Sequence, residues 1–471
     1  MKKNYGLTLT LCLALAFTFQ TANANASNDG SAAAQLTAQT PTDMHPAGAP
    51  PAGAIPPGPP PDGMGMPPMQ QEAQSADSLN AVYTADTNTE TKDACHYSSV
   101  NADENVVLVR NGASLTLTNA ELSKSGDSSS SEDSNFTGLN AVFLSNNSTA
   151  VIKNAVLNSA AEGSNAIFST GKSSTITAEH IKIHTTKNSS RGLDSTYGGT
   201  ILADDIEIAT EGAHCAALAT DRGEGNVTVS HGTLSTLGDG SPCIYSTGTI
   251  RVSDSTGTAE GSEIAVVEGK NSIALENVQL TGKQKCGVML YQSFSGDADT
   301  GTASFSAKNS NLINRSGGPM FYITNTRAEA ALENTIIDSN SGLLIQVTSD
   351  HWGKEGANGG EFTFTAKNQS LKGDILANSI SSITLQLDDK SSWTGAINKD
   401  HAAKSIHLTM HAGAVWNLTD DSYLNTFRDD CPDLSNIQSN GHSIYYISKD
   451  SPSLAGKTYT LPGGGKLLPQ K

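Results

Sequence analysis

Pairs of neighbouring aspartates are the first residues in this sequence that could carry out chemistry. A glycosidase places two carboxylates on either side of the bond that it cleaves. Adjacent residues of a β-strand point to opposite faces, so a pair in sequence does not by itself converge on one bond. The arginines that a lyase mechanism would need are predicted to lie in solvated turns, outside any acidic cluster. The aspartate pairs are Asp204–Asp205, Asp388–Asp389, Asp420–Asp421 and Asp429–Asp430, and the arginines are Arg191, Arg222, Arg251, Arg315 and Arg327.

The histidines do not form a metal-binding pattern. His407 and His411 are four residues apart on one predicted strand, which separates them by about 13 Å, too far for one ion. His231-Gly232 matches only one element of the residue series typical of polygalacturonases. Calcium-binding nonapeptides, phosphate loops and nucleophile elbows are absent from the sequence. The sequence therefore predicts no catalytic residue, no metal and no cofactor, and it favours a protein without enzymatic activity.

The composition indicates which elements position these residues. The chain has 471 residues, of which 16% are charged and 5% aromatic, and it contains 44 glycines. Together with abundant Ser, Thr and Asn, this is typical of β-rich proteins rather than helical or α/β enzymes. The net charge of −18 argues against nucleic acid as a partner, because phosphate binding needs clustered Lys and Arg.

The first 95 residues differ from the rest. Met1–Ala26 has the basic start, apolar core and small residues of a secretory signal peptide, cleaved after about Ala24 or Ala26. Its apolar core is too short to span a membrane. Residues 27–95 are rich in Pro, Gly and Met, which predicts a disordered linker. The mature protein is therefore predicted to be secreted or at the cell surface, without an integral membrane segment.

A repeat of about 25 residues covers the remaining chain. In each unit a polar residue precedes two variable positions and an aliphatic residue, and a glycine turn with an apolar run follows in phase. Three short strands per unit predict an all-β, right-handed parallel β-helix of about 13 coils over residues 96–465, with a tail at 466–471. Short polar side chains suit a tight turn between two strands, where they bond the backbone or one another. This turn column consists of Asn119, Asn154, His180, Asp205, His231, Asn277, Asn309, Asn334 and Asn368.

Two cysteines are predicted to lie within reach of each other. Cys215 and Cys243 each follow a glycine by three residues and are about one coil apart. Stacked positions lie about 4.8 Å apart, which a disulfide allows. The alternative is that both are small buried residues with free thiols. Cys286 is predicted to lie two coils from Cys243, out of reach, and Cys95 and Cys431 have no predicted partner.

The turn column and the three-strand coils resemble the right-handed parallel β-helices of the pectate-lyase-like superfamily. The phrase Trp416-Asn-Leu-Thr-Asp-Asp-Ser-Tyr-Leu424 resembles the end of autotransporter-type adhesin passenger domains. The resemblance covers roughly residues 100–460. It implies an architecture and a location at a cell surface, and it names no ligand.

These observations lead to one expectation and one alternative. We expect a secreted or cell-surface, adhesin-like protein that binds a surface glycan or a host or matrix protein, or has a structural role, without catalysis. Long stacks of coils expose a rigid polar flank that suits such a role. The alternative is a polysaccharide-active enzyme, either a lyase or a glycoside hydrolase.

Overall fold

The computed structural model describes residues 73–293, 295–388 and 390–470. The predicted signal peptide and residues 27–72 of the predicted linker lie outside the described residues. No helix in the described part of the chain is long and apolar enough to cross a membrane.

The described chain is a parallel β-helix of about 16 turns, which confirms the predicted fold class. Each complete coil has three legs, named face A, face B and face C in the order in which the chain runs. The face A strands are β1 (Asn80–Asp86), β4 (Glu104–Arg110), β7 (Phe143–Asn146), β9 (Ile167–Thr170), β11 (Leu193–Thr196), β13 (Leu218–Thr220), β15 (Ile244–Ser246), β18 (Ala265–Glu268), β21 (Val288–Tyr291), β24 (Phe321–Thr324), β27 (Leu343–Thr348), β30 (Asp374–Ala377), β35 (Ser422–Leu424), β38 (Ile444–Tyr446) and β40 (Lys466–Pro469), the last paired with the short antiparallel β39 (Tyr459–Thr460).

Faces B and C follow each other across the turn column. Four strands run through this turn without a break: β8 (Thr149–Ser159), β10 (Thr175–Thr185), β12 (Thr200–Thr210) and β14 (Asn226–Thr236). In the other coils, face B and face C are separate strands. The face B strands are β2 (Thr89–Asp93), β5 (Ser114–Thr118), β16 (Thr249–Ser253), β19 (Ser272–Glu276), β22 (Thr302–Lys308), β25 (Arg327–Glu333), β28 (Glu361–Lys367), β31 (Ser382–Leu387), β33 (Ser405–Met410) and β36 (Thr426–Asp429). The face C strands are β3 (His96–Ser99), β6 (Glu121–Lys124), β17 (Thr256–Ala259), β20 (Gln279–Gly282), β23 (Asn311–Asn314), β26 (Ile336–Ser339), β29 (Ser370–Lys372), β32 (Ser392–Thr394), β34 (Val415–Asn417) and β37 (Ile437–Gln438).

Register between coils follows from the alternation of apolar and polar residues. Ile176 of β10 pairs with Ile201 of β12, and Ile183 pairs with Ile208, so apolar side chains stack on apolar ones inside the coil. A shift of one residue would turn each of these isoleucines towards solvent, which fixes the register. One continuous core of such residues runs through the coils.

Two stacked tryptophans fill the core near the C-terminal end. The rings of Trp393 and Trp416 lie 4.9 Å apart between centroids and are tilted by only 12°. Their Nε1 groups donate to the carbonyl oxygens of Gly373 and Gly395, at 2.9 and 3.0 Å. Both buried indole N–H groups are thus satisfied, which allows tryptophan in a dry interior.

Two helical segments interrupt the strands. Helix α1 (Ser131–Thr137) lies in an excursion between face C and face A, and a 3₁₀ turn covers Pro452–Leu454. The Ser130 side chain caps α1 by accepting from the backbone amide of Asp133, and Gly138 ends the helix in the left-handed conformation.

Both boundaries of the solenoid and its number of coils differ from the sequence-based prediction. The solenoid begins at β1, before the predicted start at residue 96, and it ends with β40, inside the predicted tail. It therefore has about 16 coils where about 13 were predicted. The terminal coils lack the usual residue at the turn: Ala94 has φ 49° in the first coil, and Lys390 has φ 64° near the other end. Because neither turn has the Asn, Asp or His of the other coils, the turn column does not mark these coils in the sequence.

The first coil has charged residues at positions that are apolar elsewhere. Glu90 pairs with Leu115 and Lys92 with Leu117, both of which are buried in the next coil. Lys92 Nζ lies 3.6 Å from Glu90 Oε2 and 5.1 Å from the centre of the Tyr83 ring. Charges at inward positions of an end strand oppose pairing with another sheet edge. The first coil thus acts as a polar cap.

Replacing both cap residues, Glu90→Leu and Lys92→Leu, makes the end of the solenoid apolar. We expect this variant to self-associate as concentration rises, because an uncharged strand edge pairs with other edges. Sedimentation velocity over a range of concentrations measures the effect. The control is Thr89→Leu with Thr91→Leu, at the exposed positions of the same strand. Equal sedimentation of the two variants would contradict the capping role.

Candidate functional site

The residues of the predicted turn column share one unusual backbone conformation. All nine have a positive φ, between 48° for Asn368 and 56° for His180 and Asn277. Asp254, which lies between His231 and Asn277 in sequence, also has a positive φ, of 49°. Asn and Asp tolerate this left-handed conformation better than other residues that carry a Cβ. The backbone turn between faces B and C is therefore the physical reason for the polar repeat.

Side-chain amides link several members of the column. Each such bond joins the Nδ2 of one asparagine to the Oδ1 of the residue in the preceding coil. Within the described residues no such bond joins Asn277 to Asn309. The bonds are Asn154 to Asn119 at 3.3 Å, Asn277 to Asp254 at 3.1 Å, Asn334 to Asn309 at 2.8 Å and Asn368 to Asn334 at 3.4 Å.

The middle of the column contains ionisable residues. His231 Nδ1 lies 2.8 Å from Asp204 Oδ1, and His180 Nε2 lies 3.6 Å from Asp205 Oδ2. The hydrogen bond to Asp204 raises the pKa of His231, and bonds from Ser230 and His231 lower the pKa of Asp204. Asp204 and Asp205 thus pair with different histidines on an exposed surface and do not face one common point.

The other aspartate pairs are also divided between separate partners. Asp430 Oδ2 lies 3.1 Å from His411 Nδ1, whereas Asp429 accepts from the backbone amide of Cys431. Asp421 accepts from the backbone amide of Ser443 at 2.8 Å. Asp388 Oδ1 is 3.6 Å from His411 Nε2, and its neighbour Asp389 lies outside the described residues. In the pairs whose two residues are both described, the carboxylates hydrogen-bond the local backbone or pair with a nearby side chain.

Cys215 and Cys243 are free thiols, and the stacking predicted for them is wrong. Leu218 pairs with Ile244, which places Cys243 against Ala217 of the preceding coil. The backbone amide of Cys215 donates to Ser241 Oγ at 2.9 Å, so Ser241 is its neighbour in the next coil. The two cysteines are thus offset by two residues in register. Burial raises the pKa of both thiols to about 12, which leaves them unreactive.

Cys286 does not share a column with Cys243 either. Val288 pairs with Ala265, so Cys286 lies against Glu263. Cys286 belongs to an apolar cluster on the outer side of face A, whereas Cys243 packs in the central core. Cys95 and Cys431 are free and half-buried.

The outer side of face A contains a buried ion cluster that the sequence analysis missed. Arg191 Nη1 lies 2.6 Å from Asp194 Oδ2 and 2.7 Å from Asp221 Oδ2. The three side chains are 2%, 0% and 4% exposed. Burial raises the pKa of Asp221 well above its usual range, although Arg191 opposes this, and it raises the pKa of Asp194 as well. The prediction that Arg191 lies in a solvated turn is wrong.

A third carboxyl group lies two coils beyond Asp221 along the same outer surface. Glu268 Oε2 accepts hydrogen bonds from the hydroxyl groups of Tyr245 and Tyr291, each at 2.7 Å. Its other oxygen accepts from Ser293 Oγ. Burial raises the pKa of Glu268, and the nearby charge of Asp297 adds to the effect. Carboxyl groups with raised pKa values are the type that general acid catalysis uses.

Excursions of the chain cover this surface. Side chains of face A hold helix α1 in place: Asn165 donates to the Ser134 carbonyl at 2.9 Å and Thr196 to the Phe136 carbonyl at 3.0 Å. Residues 349–358 cover the later coils, where Trp352 is buried and its ring lies 5.8 Å from that of Tyr291. The charged cluster is therefore enclosed by protein.

Arg222 joins two of these excursions. Its guanidinium lies 3.8 Å from the centre of the Phe136 ring in α1 and 2.9 Å from Asp297 Oδ1 in the segment 292–300. Glu132 of α1 lies 3.5 Å from the same guanidinium. One side chain thus holds the two covering segments together, and its predicted place in a solvated turn is also wrong.

The sequence carries only a weak signal for the buried cluster. Asp194 and Glu268 interrupt or end runs of small and apolar residues, as in Leu193–Thr196 and Ala265–Glu268. A charge in a strand that is buried on both sides marks a site or an ion pair. The repeat does not show that the outer side of face A is covered. The sequence alone therefore does not identify these charged residues as buried.

An open groove runs along the turn column, away from face A. It has a volume of about 650 Å³, and it extends over four coils from Asp254 to Asn334. In these coils the strands stop at the turn. Buried serine hydroxyls there accept from backbone amides that would otherwise bond a carbonyl oxygen of the next coil. Ser255 Oγ accepts from the Gly232 amide at 2.8 Å, and Ser310 Oγ accepts from the Val278 amide at 3.1 Å. The groove lies along this interruption between faces B and C.

The chemistry available at these sites is limited to what the side chains provide. Within the described residues, no group of three or more His, Cys, Asp or Glu is placed to hold a metal ion. The covered cluster contains acids and their cations, and the open groove contains amides and hydroxyls. Comparison with known proteins adds no assignment: no protein-family model matches the chain, and no curated protein sequence is significantly similar to it.

The turn geometry predicts effects of different size on stability for two substitutions at Asn154. Asn154→Gly keeps a residue that adopts positive φ readily, whereas Asn154→Ala does not. We expect Ala to lower the free energy of unfolding by about 1 kcal/mol more than Gly does. Urea denaturation measures the difference. Asn158, exposed on the same strand, is the control position, where Gly is expected to be no better than Ala.

The role of Arg222 is tested by Arg222→Ala. We expect faster proteolytic cleavage within residues 126–138 and 292–300, because the substitution removes the contact between them. Limited proteolysis with mass spectrometry locates the cuts. Arg327→Ala removes an exposed ion pair with Glu361 instead and is expected to leave the cleavage rate unchanged. Equal cleavage of both variants would show that Arg222 does not hold these segments.

Proposed function

We propose that this chain is a secreted or cell-surface, adhesin-like protein that binds a glycan or protein ligand, or serves a structural role, without catalysis. The residues 1–26 support export, and the acidic composition favours solubility. The stacked coils support a binding role because they form a long rigid surface. We also propose that the coils are right-handed and of the pectate-lyase-like type, with the C-terminal block related to adhesin passenger domains.

One observation supports this proposal most. Three carboxyl groups whose pKa values are raised by burial, Asp194, Asp221 and Glu268, are enclosed beneath segments of the chain. One open concave surface, the groove along the turn column from Asp254 to Asn334, is lined by amides, hydroxyls and apolar side chains, with Asp254 as its one ionisable residue. Neutral amides and hydroxyls hold a ligand by hydrogen bonds, but they do not supply the acid and base that bond cleavage requires.

A polysaccharide-active enzyme is the second candidate, and the buried cluster is the observation in its favour. Asp194 and Asp221 lie on neighbouring coils, Glu268 lies two coils beyond Asp221, and burial raises the pKa of each. Two carboxyl groups in different environments are the usual basis of glycoside hydrolysis. For this function, α1 and the segment 292–300 would have to move away to admit a polymer.

A binding array and a degradation assay on the same preparation test the proposal. We expect the full-length protein to bind at least one immobilised glycan or extracellular-matrix protein and to release no sugar fragments from pectin, alginate or host glycans. Release of reducing or unsaturated ends, abolished by Asp221→Asn, would establish the enzyme instead. Absence of both binding and release would refute the binding role and the enzyme, and it would favour the structural role.

A further inference from the structure

The open groove along the turn column has the dimensions of a small-ligand site. Its volume of about 650 Å³ falls within the range of known ligand pockets. A stable protein–protein interface needs about 800 Å² from each partner and an apolar centre. The surface that lines the groove is far smaller than that, so a small ligand fits it better than a folded protein does.

The groove is lined by groups that both donate and accept hydrogen bonds. Asn277 and Asn309 are adjacent members of the column that are not bonded to each other in the described residues. On the neighbouring strands, Asn311 Nδ2 donates to Gln279 Oε1 at 3.3 Å, and Asn311 Oδ1 is buried. Asn277 and Asn309 are exposed. Amides with unused donors and acceptors match hydroxyl groups, each of which also donates and accepts.

The charge around the groove favours a neutral ligand. Asp254 is the one ionisable side chain among its lining residues, and its Oδ1 accepts from Asn277. The flanking Lys308 lies 3.5 Å from Glu276, and Lys367 lies 3.3 Å from Glu333, so neither ammonium group is left for an anion. Among the described residues that line the groove, an acidic polymer would meet no cation.

The groove also repeats along its length. Successive coils present equivalent amides about 4.8 Å apart. This spacing is close to the length of one sugar unit in an extended, β-linked chain. At the far end Ile336 is 65% exposed, which is unusual for a large aliphatic residue, and it offers an apolar contact for the C–H face of a sugar ring.

We infer that the groove from Asp254 to Asn334 binds an extended, neutral, β-linked oligosaccharide, with about one sugar per coil. The inference rests on the proposed binding function and names its ligand class and its place. Asn277 and Asn309 hydrogen-bond the hydroxyl groups, and Ile336 packs against a ring.

Isothermal titration of the full-length protein with cellohexaose and chitohexaose tests the inference, with the α-linked maltohexaose for comparison. We expect at least one β-linked hexamer to bind more tightly than maltohexaose. The variant Asn277→Gly with Asn309→Gly keeps the left-handed turns and removes both amides. We expect it to bind about tenfold more weakly, as the loss of two hydrogen bonds implies.

The matched control is Asn119→Gly with Asn154→Gly, which removes two amides of the same column outside the groove. We expect its affinity to equal that of the unchanged protein. Ile336→Lys, at an exposed position, is expected to weaken binding without altering the unfolding midpoint. No preference for a β-linked hexamer, or equal affinities of the two glycine variants, would overturn the inference. If the array still detects a glycan or protein ligand in that case, the proposed function stands and its binding surface lies elsewhere.

Discussion

Parallel backbone hydrogen bonding between successive coils is the interaction on which the rest of this structure depends. It places equivalent positions of neighbouring coils directly over one another, so each position becomes a column. The turn from face C to face A shows how close the approach is. A Cβ on Gly238 would lie 1.8 Å from the carbonyl oxygen of Gly212 in the preceding coil. No other residue fits there without displacing the backbone.

The same stacking explains where charge is tolerated. On faces B and C, opposite charges sit over one another, as in Lys182–Glu207 and Lys153–Glu179, at 3.1 and 2.7 Å. These pairs are exposed, so each contributes little to stability. The Arg191 cluster on face A is different because it is enclosed. Removing one partner of a buried pair is costly, on the order of 3–5 kcal/mol, since it leaves an uncompensated charge. The cluster therefore fixes the covering segments to the coils, whether or not it has a chemical role.

The fold could be predicted from the sequence because the left-handed turn restricts residue type. The turn of each coil is marked in the sequence by a residue such as Asn119, Asn154 or Asn277, and the spacing of these residues gives the coil length. Where another residue takes the turn, as Ala94 does, the coil was missed. The cysteine register failed for a related reason: Gly240 was aligned with Gly212, although Gly238 is the residue that stacks on it. The buried cluster was missed because Arg191 and Asp221 become neighbours only when their coils stack, and sequence spacing alone does not reveal such a contact.

The two candidate sites differ in how far their polar groups are satisfied. In the Arg191 and Glu268 clusters each carboxyl group is paired with the guanidinium or hydrogen-bonded inside the protein, although Asp194 Oδ1 has no partner within the described residues. Along the turn column, Asn334 and Asn309 are bonded to each other, whereas Asn277 and Asn309 are not. An unmade amide bond in solvent costs the fold little, because water takes its place and the backbone ladder above and below is intact. The amide bond between neighbouring members of the column is thus absent at the open groove, and a ligand's hydroxyl groups can take the place of water there. Natural proteins tend to leave local interactions unsatisfied at functional sites. By this criterion the open groove is a better candidate for a functional site than the buried carboxyl groups are.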